Sequence, residues 1–63
     1  MEFLTDEILT VEQVAAELQV TKWTVYNLVS RPTNAALPHV RVGKQLRFRK
    51  SSVERWLAEH EQQ

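Results

Sequence analysis

The sequence predicts a small α+β domain, mostly helical, on three observations. Two short amphipathic stretches follow one another with almost no connection, an alternating apolar and basic stretch is interrupted by the single glycine, and a third amphipathic stretch closes the chain. The chain has 63 residues, 43% of them hydrophobic and 25% charged, an ordinary globular composition for which one domain spanning 1–63 is expected. At about 60 residues only roughly 60% of the unfolded surface is buried, so a deep catalytic pocket is not expected and the chain reads as no enzyme. The absence of Cys excludes disulfides and thiolate metal sites, and His39 and His60, far apart in sequence, do not build a zinc site alone. No metal, cofactor or small-molecule ligand is therefore expected. No apolar run reaches the ~20 residues of a membrane span. The acidic start, with Glu2, Asp6 and Glu7, lacks the basic region of a signal peptide. A soluble, cytoplasmic protein without a membrane partner is the expectation.

The first helix starts at Thr10. Gln13, three residues on, completes a capping box, and Leu9 and Val14 flank the cap as a hydrophobic staple. Val11, Val14, Ala15 and Leu18 then form one apolar stripe, with the end near Leu18. Thr21 is a second N-cap, and only Gln19 and Val20 separate it from the first helix. The second helix is expected over about Lys22 to Ser30, with Val25, Leu28 and Val29 inward, until Arg31-Pro32 stops it, because a residue before Pro disfavours helical dihedrals. Two short helices on so tight a turn make a helix-turn-helix.

Pro32 to Pro38 reads as a loop, with Leu37 as its anchor in the core. Val40, Val42, Leu46 and Phe48 then alternate with Arg41, Arg47 and Arg49, as in a hairpin. A two-residue loop at Gly43-Lys44 sets Val40 opposite Arg47 and mixes the faces. A three-residue loop, Gly43 to Gln45, sets Val42 opposite Leu46, Val40 opposite Phe48 and Arg41 opposite Arg47, gathering the apolar side chains on one face; this register is the expected one. Ser51 with Glu54 gives a capping box for the last helix, whose inner stripe is Val53, Trp56, Leu57 and His60. Met1 to Ile8 is the least determined segment: Phe3, Leu4 and Ile8 either pack on the body or belong to a loose arm. The pair Asp6-Glu7 reads as acidic surface or a helix start.

The net charge of zero conceals segregation. Five acids fall in the first 17 residues and three in the last ten, whereas Leu18 to Val53 contains none and carries seven of the eight basic residues. A block of that kind attracts a phosphate backbone, although an acidic protein partner would answer to it as well.

Helix, tight turn, helix, basic hairpin and helix is a winged helix-turn-helix plan. The sequence resembles the excisionase family of small MerR-like DNA-binding domains. The likeness is carried by Leu9-Thr10-Val11-Glu12-Gln13-Val14-Ala15 and Leu18-Gln19-Val20-Thr21-Lys22-Trp23-Thr24-Val25-Tyr26. It continues through Leu37-Pro38, Val40-Arg41-Val42-Gly43-Lys44, Arg47-Phe48, Ser51-Ser52-Val53 and Trp56-Leu57. The family's turn often has Gly where this chain has Gln19, so a left-handed Gln19 would cost on the order of 1 kcal/mol more than Gly, the alternative being a different turn. The segment from Pro32 to Ala36 is also longer than the short Gly-containing turn usual there.

The resemblance implies a recombination directionality factor, phage- or mobile-element-encoded and nucleoid-associated in a bacterial cell, or a small transcriptional regulator. Its implied partners are double-stranded DNA, neighbouring copies of itself bound cooperatively on tandem sites with DNA bending, and an integrase of the tyrosine or serine recombinase class. Thr21, Lys22, Trp23, Thr24, Tyr26, Asn27 and Arg31 are the candidate recognition-helix contacts, because residues at the N-terminal end of such a helix reach deepest into the major groove. Arg41, Lys44, Arg47 and Arg49 are the candidate wing contacts on minor groove or backbone. Each has a plainer reading. Trp23 would equally cover the core edge, the Tyr26 ring would lie over the Pro32 loop, Asn27 would be a solvated helix residue, and Arg31 would favour the helix dipole. The rival of another class is a protein-interaction adaptor with a basic face.

Overall fold

The computed structural model describes residues 6–32 and 35–61. In chain order the elements are β1 (Ile8–Leu9), α1 (Val11–Leu18), α2 (Lys22–Val29), β2 (Val40–Val42), β3 (Gln45–Arg49) and α3 (Lys50–Glu59). Helix, turn, helix, hairpin and helix assemble as a winged helix-turn-helix. Phe3 and Leu4 lie outside the described residues, as do Thr33 and Asn34 of the long loop.

α1 starts as its sequence demands. Thr10 Oγ1 accepts from the Gln13 amide at 3.1 Å, and Gln13 Oε1 accepts from the Thr10 amide at 2.8 Å. Leu9 and Val14, the staple pair, both lie in the core. The helix ends in a left-handed residue that is not glycine: Gln19 has φ 58° and ψ 46°. Its amide donates to the Ala16 carbonyl at 3.2 Å and that of Val20 to the Ala15 carbonyl at 2.9 Å. This reciprocal pair satisfies carbonyls that the helix end would leave open, which offsets the steric cost of a side chain in that region.

The expected hairpin register is corrected by the structure. β2 and β3 pair with Val40 opposite Arg47, Arg41 opposite Leu46 and Val42 opposite Gln45, so the loop is the two-residue Gly43-Lys44. The turn dictates this. Gly43 has φ 64°, and Gln19 is the one non-glycine residue at positive φ among those described. A glycine at the first central position is what a two-residue type II′ turn requires, whereas the three-residue loop would want its left-handed residue at Gln45. Directly opposed residues share a face, so Val40 and Val42 stand outward with Arg47 and Arg49, and Arg41 stands on the face of Leu46 and Phe48. Val40 is 48% and Val42 59% exposed, while Phe48 is fully buried.

The N-terminal segment contributes a third strand that the sequence did not announce. β1 pairs antiparallel with β3, with Ile8 opposite Arg49 and Leu9 opposite Phe48, giving the order β1-β3-β2. The start of α3 depends on the same segment. Its N-cap is Arg49, whose side chain makes no capping bond, and Ser51 lies inside the helix instead of capping it with Glu54. The cap comes from 45 residues away: Asp6 Oδ2 accepts from the Ser51 hydroxyl at 2.7 Å and Asp6 Oδ1 from its amide at 3.3 Å. The Lys50 amide donates to the Glu7 carbonyl at 2.9 Å, and their side chains form an exposed ion pair at 3.7 Å. The Ser51 hydroxyl, helped by its amide and by the charge of Arg49, holds the Asp6 carboxyl below its ordinary pKa.

The core is Leu9, Val11, Val14, Ala15, Val25, Leu37, Phe48 and Val53, with Leu18, Leu28, Val29, Leu46 and Trp56 packed against it. Leu37 anchors the long loop as expected, and its amide donates to the Leu28 carbonyl at 3.1 Å. On α3 the stripe is narrower than its pattern suggests. Leu57 is 52% exposed, and His60 is an exposed C-cap stacked on Trp56 with ring centroids 4.2 Å apart.

Two outcomes follow. Gln19→Gly raises stability by about 0.5–1 kcal/mol in urea unfolding, the left-handed strain relieved less the extra freedom glycine gains when unfolded. Asp6→Asn lowers the unfolding midpoint at neutral pH. Because the folded Asp6 titrates below its unfolded value, its stabilisation is complete above the ordinary carboxylate pKa and is lost as pH falls through the lower folded one. Midpoints of the two proteins measured across the acid limb should therefore converge; a constant gap would show that the charge of Asp6 is not what caps α3.

Candidate nucleic-acid interface

The rotation of α2 is fixed by what it buries. Val25 is fully buried, and Leu28 and Val29 pack on the core beside it, so Lys22, Trp23, Tyr26 and Asn27 are left on the exposed side of the helix. Thr21 starts the helix from an extended conformation, its Oγ1 accepting from the Thr24 amide at 3.2 Å and lying 3.1 Å from the Thr24 hydroxyl. Thr24 is half-buried, and both hydroxyls belong to the cap.

Trp23 does not cover the core edge: it is 66% exposed. Its ring lies 5.8 Å from that of Tyr26 at an interplanar angle of 44°, and the Lys22 ammonium stands 5.3 Å from the indole centroid. Tyr26 is 40% exposed. Arg31 is exposed just beyond the C-cap Ser30, which donates from its amide and hydroxyl to the Tyr26 carbonyl at 3.1 and 3.0 Å. Arg31 borders a groove with Val29, Leu37, Pro38 and His39, the path from α2 to the hairpin. The Trp56 indole N–H, donating to the Ala35 carbonyl at 3.3 Å, holds the far side of that path.

The four wing residues do not share one face. Lys44 is exposed at the tip, Arg41 is exposed on the Leu46 side, and Arg47 and Arg49 stand on the outer face. Arg47 is half-buried and turned back along its own strand, donating to the Leu46 carbonyl at 2.7 Å and to Gln45 Oε1. Arg49 stands beside Asp6 and Lys50 is paired with Glu7. Of the seven basic residues between Leu18 and Val53, only Lys50 is in an ion pair among the described residues, and Lys22, Arg31, Arg41, Lys44 and Arg49 are exposed.

Sequence reasoning missed the outer face of the sheet. Ile8, 53% exposed, joins Val40 and Val42 there in an open groove of about 400 Å³ flanked by Asp6, Arg47 and Arg49. Its one carboxylate is already bound by Ser51. Gly43 at the first turn position is the signal that would have revealed it. Among the described residues no group of three or more His, Cys, Asp or Glu side chains is placed to hold a metal, and no helix is long and apolar enough to cross a membrane.

Residues 8–61 match the family described as a helix-turn-helix domain. The chain belongs to that family. Two curated proteins of Mycobacterium tuberculosis are similar to it: "Putative DNA-binding protein MT0521" of strain CDC 1551 / Oshkosh and "Putative DNA-binding protein Rv0500A" of strain ATCC 25618 / H37Rv. Each is 47% identical over 47 residues, which cover 75% of this chain and 56% of the relative. The chain thus spans about half the length of the curated relatives it matches. No solved structure matches it.

In this helix-turn-helix domain the Thr21 cap sets where α2 begins. Thr21→Ala should cost about 1 kcal/mol of stability and Thr21→Ser far less, as read from urea midpoints, because serine keeps the accepting oxygen.

Proposed function

We propose that this helix-turn-helix protein binds double-stranded DNA in a sequence-specific manner, with α2 in the major groove and the β2–β3 hairpin as a wing on the adjoining minor groove or backbone. The observation that carries the reading is the exposed side of α2. Burial of Val25 leaves Lys22 and Trp23 exposed on the first turn of the helix, the end from which recognition helices read base edges, with Tyr26 and Asn27 one turn further along the same side. Asn27 offers a donor and an acceptor suited to adenine, and Thr21, Thr24 and Arg31 lie where the backbone passes. Lys44 and Arg41, which stand clear of the body, supply the wing contacts, with Arg47 and Arg49 at the margin of its outer face. The names of the mycobacterial relatives support DNA as the partner.

Within that class the protein acts in the manner of an excisionase, a reading that rests on the family resemblance of its motifs. It binds tandem sites beside other copies of itself, bends the DNA and directs an integrase of the tyrosine or serine class towards excision of a phage or mobile element. A bacterial cytoplasmic, nucleoid-associated setting follows from that role. The outer face of the sheet, with Ile8, Val40 and Val42 in the open, supports contact with a neighbouring copy, since exposed apolar clusters mark interaction surfaces.

The test is selection from a random duplex library across a salt series. Enrichment of a directly repeated short site is expected, with log K falling against log salt at a slope of about −4 if four or five phosphates are neutralised. Lys44→Ala should weaken all sequences equally and reduce the slope by about 1, with the unfolding midpoint unchanged. Enrichment of a single, unrepeated site with non-cooperative binding would favour a MerR-like transcriptional regulator over an excisionase. No enrichment, with weak binding even at low salt, would sink the DNA reading and leave the basic block to a protein partner.

A further inference from the structure

Trp23 is the most exposed of the large hydrophobic side chains described, and it stands on the first turn of α2. The core makes no use of it, because α2 is anchored through Val25, Leu28 and Val29. An indole left in water forgoes one of the largest hydrophobic gains a side chain offers, so its exposure calls for a partner. The ring has two neighbours on the helix surface. Tyr26 lies against it at 5.8 Å and the Lys22 ammonium sits 5.3 Å from its centroid, an arrangement in which both contacts are attractive.

The partner's chemistry follows from these surroundings. A cation adjoins the ring and no acid occurs between Leu18 and Val53, so the partner that suits this surface is anionic and offers the indole an apolar group. The major groove of DNA offers such a group in the C5-methyl of thymine; the other distinguishing atoms on its base edges are hydrogen-bond donors and acceptors. We infer that Trp23 is a specificity-determining residue that reads a thymine methyl at one position of each bound site, with Tyr26 and Lys22 positioning the indole. The inference rests on the proposed placement of α2 in the major groove.

The experiment uses the intact protein and the duplex enriched by selection, with each thymine replaced in turn by deoxyuridine, which removes the methyl group and nothing else. At one thymine, wild-type binding should weaken about three- to five-fold, the worth of one buried methyl. Trp23→Ala should bind the thymine duplex more weakly and no longer distinguish thymine from uracil there, with salt slope and unfolding midpoint unchanged. Trp23→Phe, which keeps an aromatic surface, should retain part of the discrimination and serves as the second variant if Trp23→Ala does not fold. The inference is overturned if no thymine responds to loss of its methyl, or if the response is undiminished in the Trp23 variants. In both of those cases the DNA reading stands. If wild-type protein binds no duplex, both readings fall together.

Discussion

Leu9 and Phe48 face each other across the β1–β3 ladder, and most of the molecule is tied to that pair. Leu9 immediately precedes the Thr10 cap, so its burial fixes where α1 begins. Phe48 lies on the central strand, bonded on one side to β1 and on the other to the wing strand β2. Two residues later the same ladder runs into α3, where the Lys50 amide bonds to Glu7 and Asp6 takes the Ser51 hydroxyl and amide. Five residues, Asp6 to Thr10, thus serve as helix cap, edge strand and second helix cap in succession. Loss of a buried ring such as Phe48 costs about 3–5 kcal/mol, comparable with the roughly 3–5 kcal/mol that a core of this size supplies in total. The fold has no reserve at this joint.

Among the described residues the core is eight buried side chains, all apolar, which leaves the polar chemistry to the surface. On the proposed reading, selectivity comes from what an exposed helix face and a hairpin display. Acids occupy both ends of the chain, where Glu7 is spent on Lys50 and Asp6 on Ser51, and most of the middle's positive charge is left unpaired among the described residues. The formal neutrality of the whole chain is therefore no measure of the potential over α2 and the wing tip.

How much of this the sequence discloses depends on the range of the interaction that decides each feature. The caps of α1 and α2 are legible because donor and acceptor lie three residues apart, and the helix-turn-helix follows from them. The cap of α3 is not, because Ser51 and Glu54 look like a local box while the real acceptor is Asp6, distant in sequence. β1 has two residues, too few for an alternation to be visible. The hairpin register is lost for another reason: hydrophobic alternation argued for Val40 and Val42 inward, and the turn chemistry of Gly43 argued against it. Backbone geometry prevailed because a left-handed residue at Gln45 would have been needed for the alternative. The stripe of Val25, Leu28 and Val29 puts Trp23 and Tyr26 on the outer side of α2, but whether their rings fold back over the core edge and the Pro32 loop is decided by packing that periodicity does not report.

The corrected register also changes what the wing is. With valines inward, the hairpin would have been a ribbon with one basic face, interchangeable in its arginines. With valines outward, its basic groups separate into two sets. Lys44 and Arg41 stand clear at the tip and on the core side, while Arg47 is turned back onto Leu46 and Gln45, and Arg49 lines the outer groove that Asp6 also borders. The outer face is consequently apolar at its centre and basic at its margin, a poor match for a wholly polar phosphate backbone and a better one for another protein surface. On the proposed reading the wing meets the duplex through its tip, and the same strands keep a separate face for the copy bound alongside. One hairpin then serves DNA and neighbour at once, and the link between them is the two-residue turn that a single glycine makes possible.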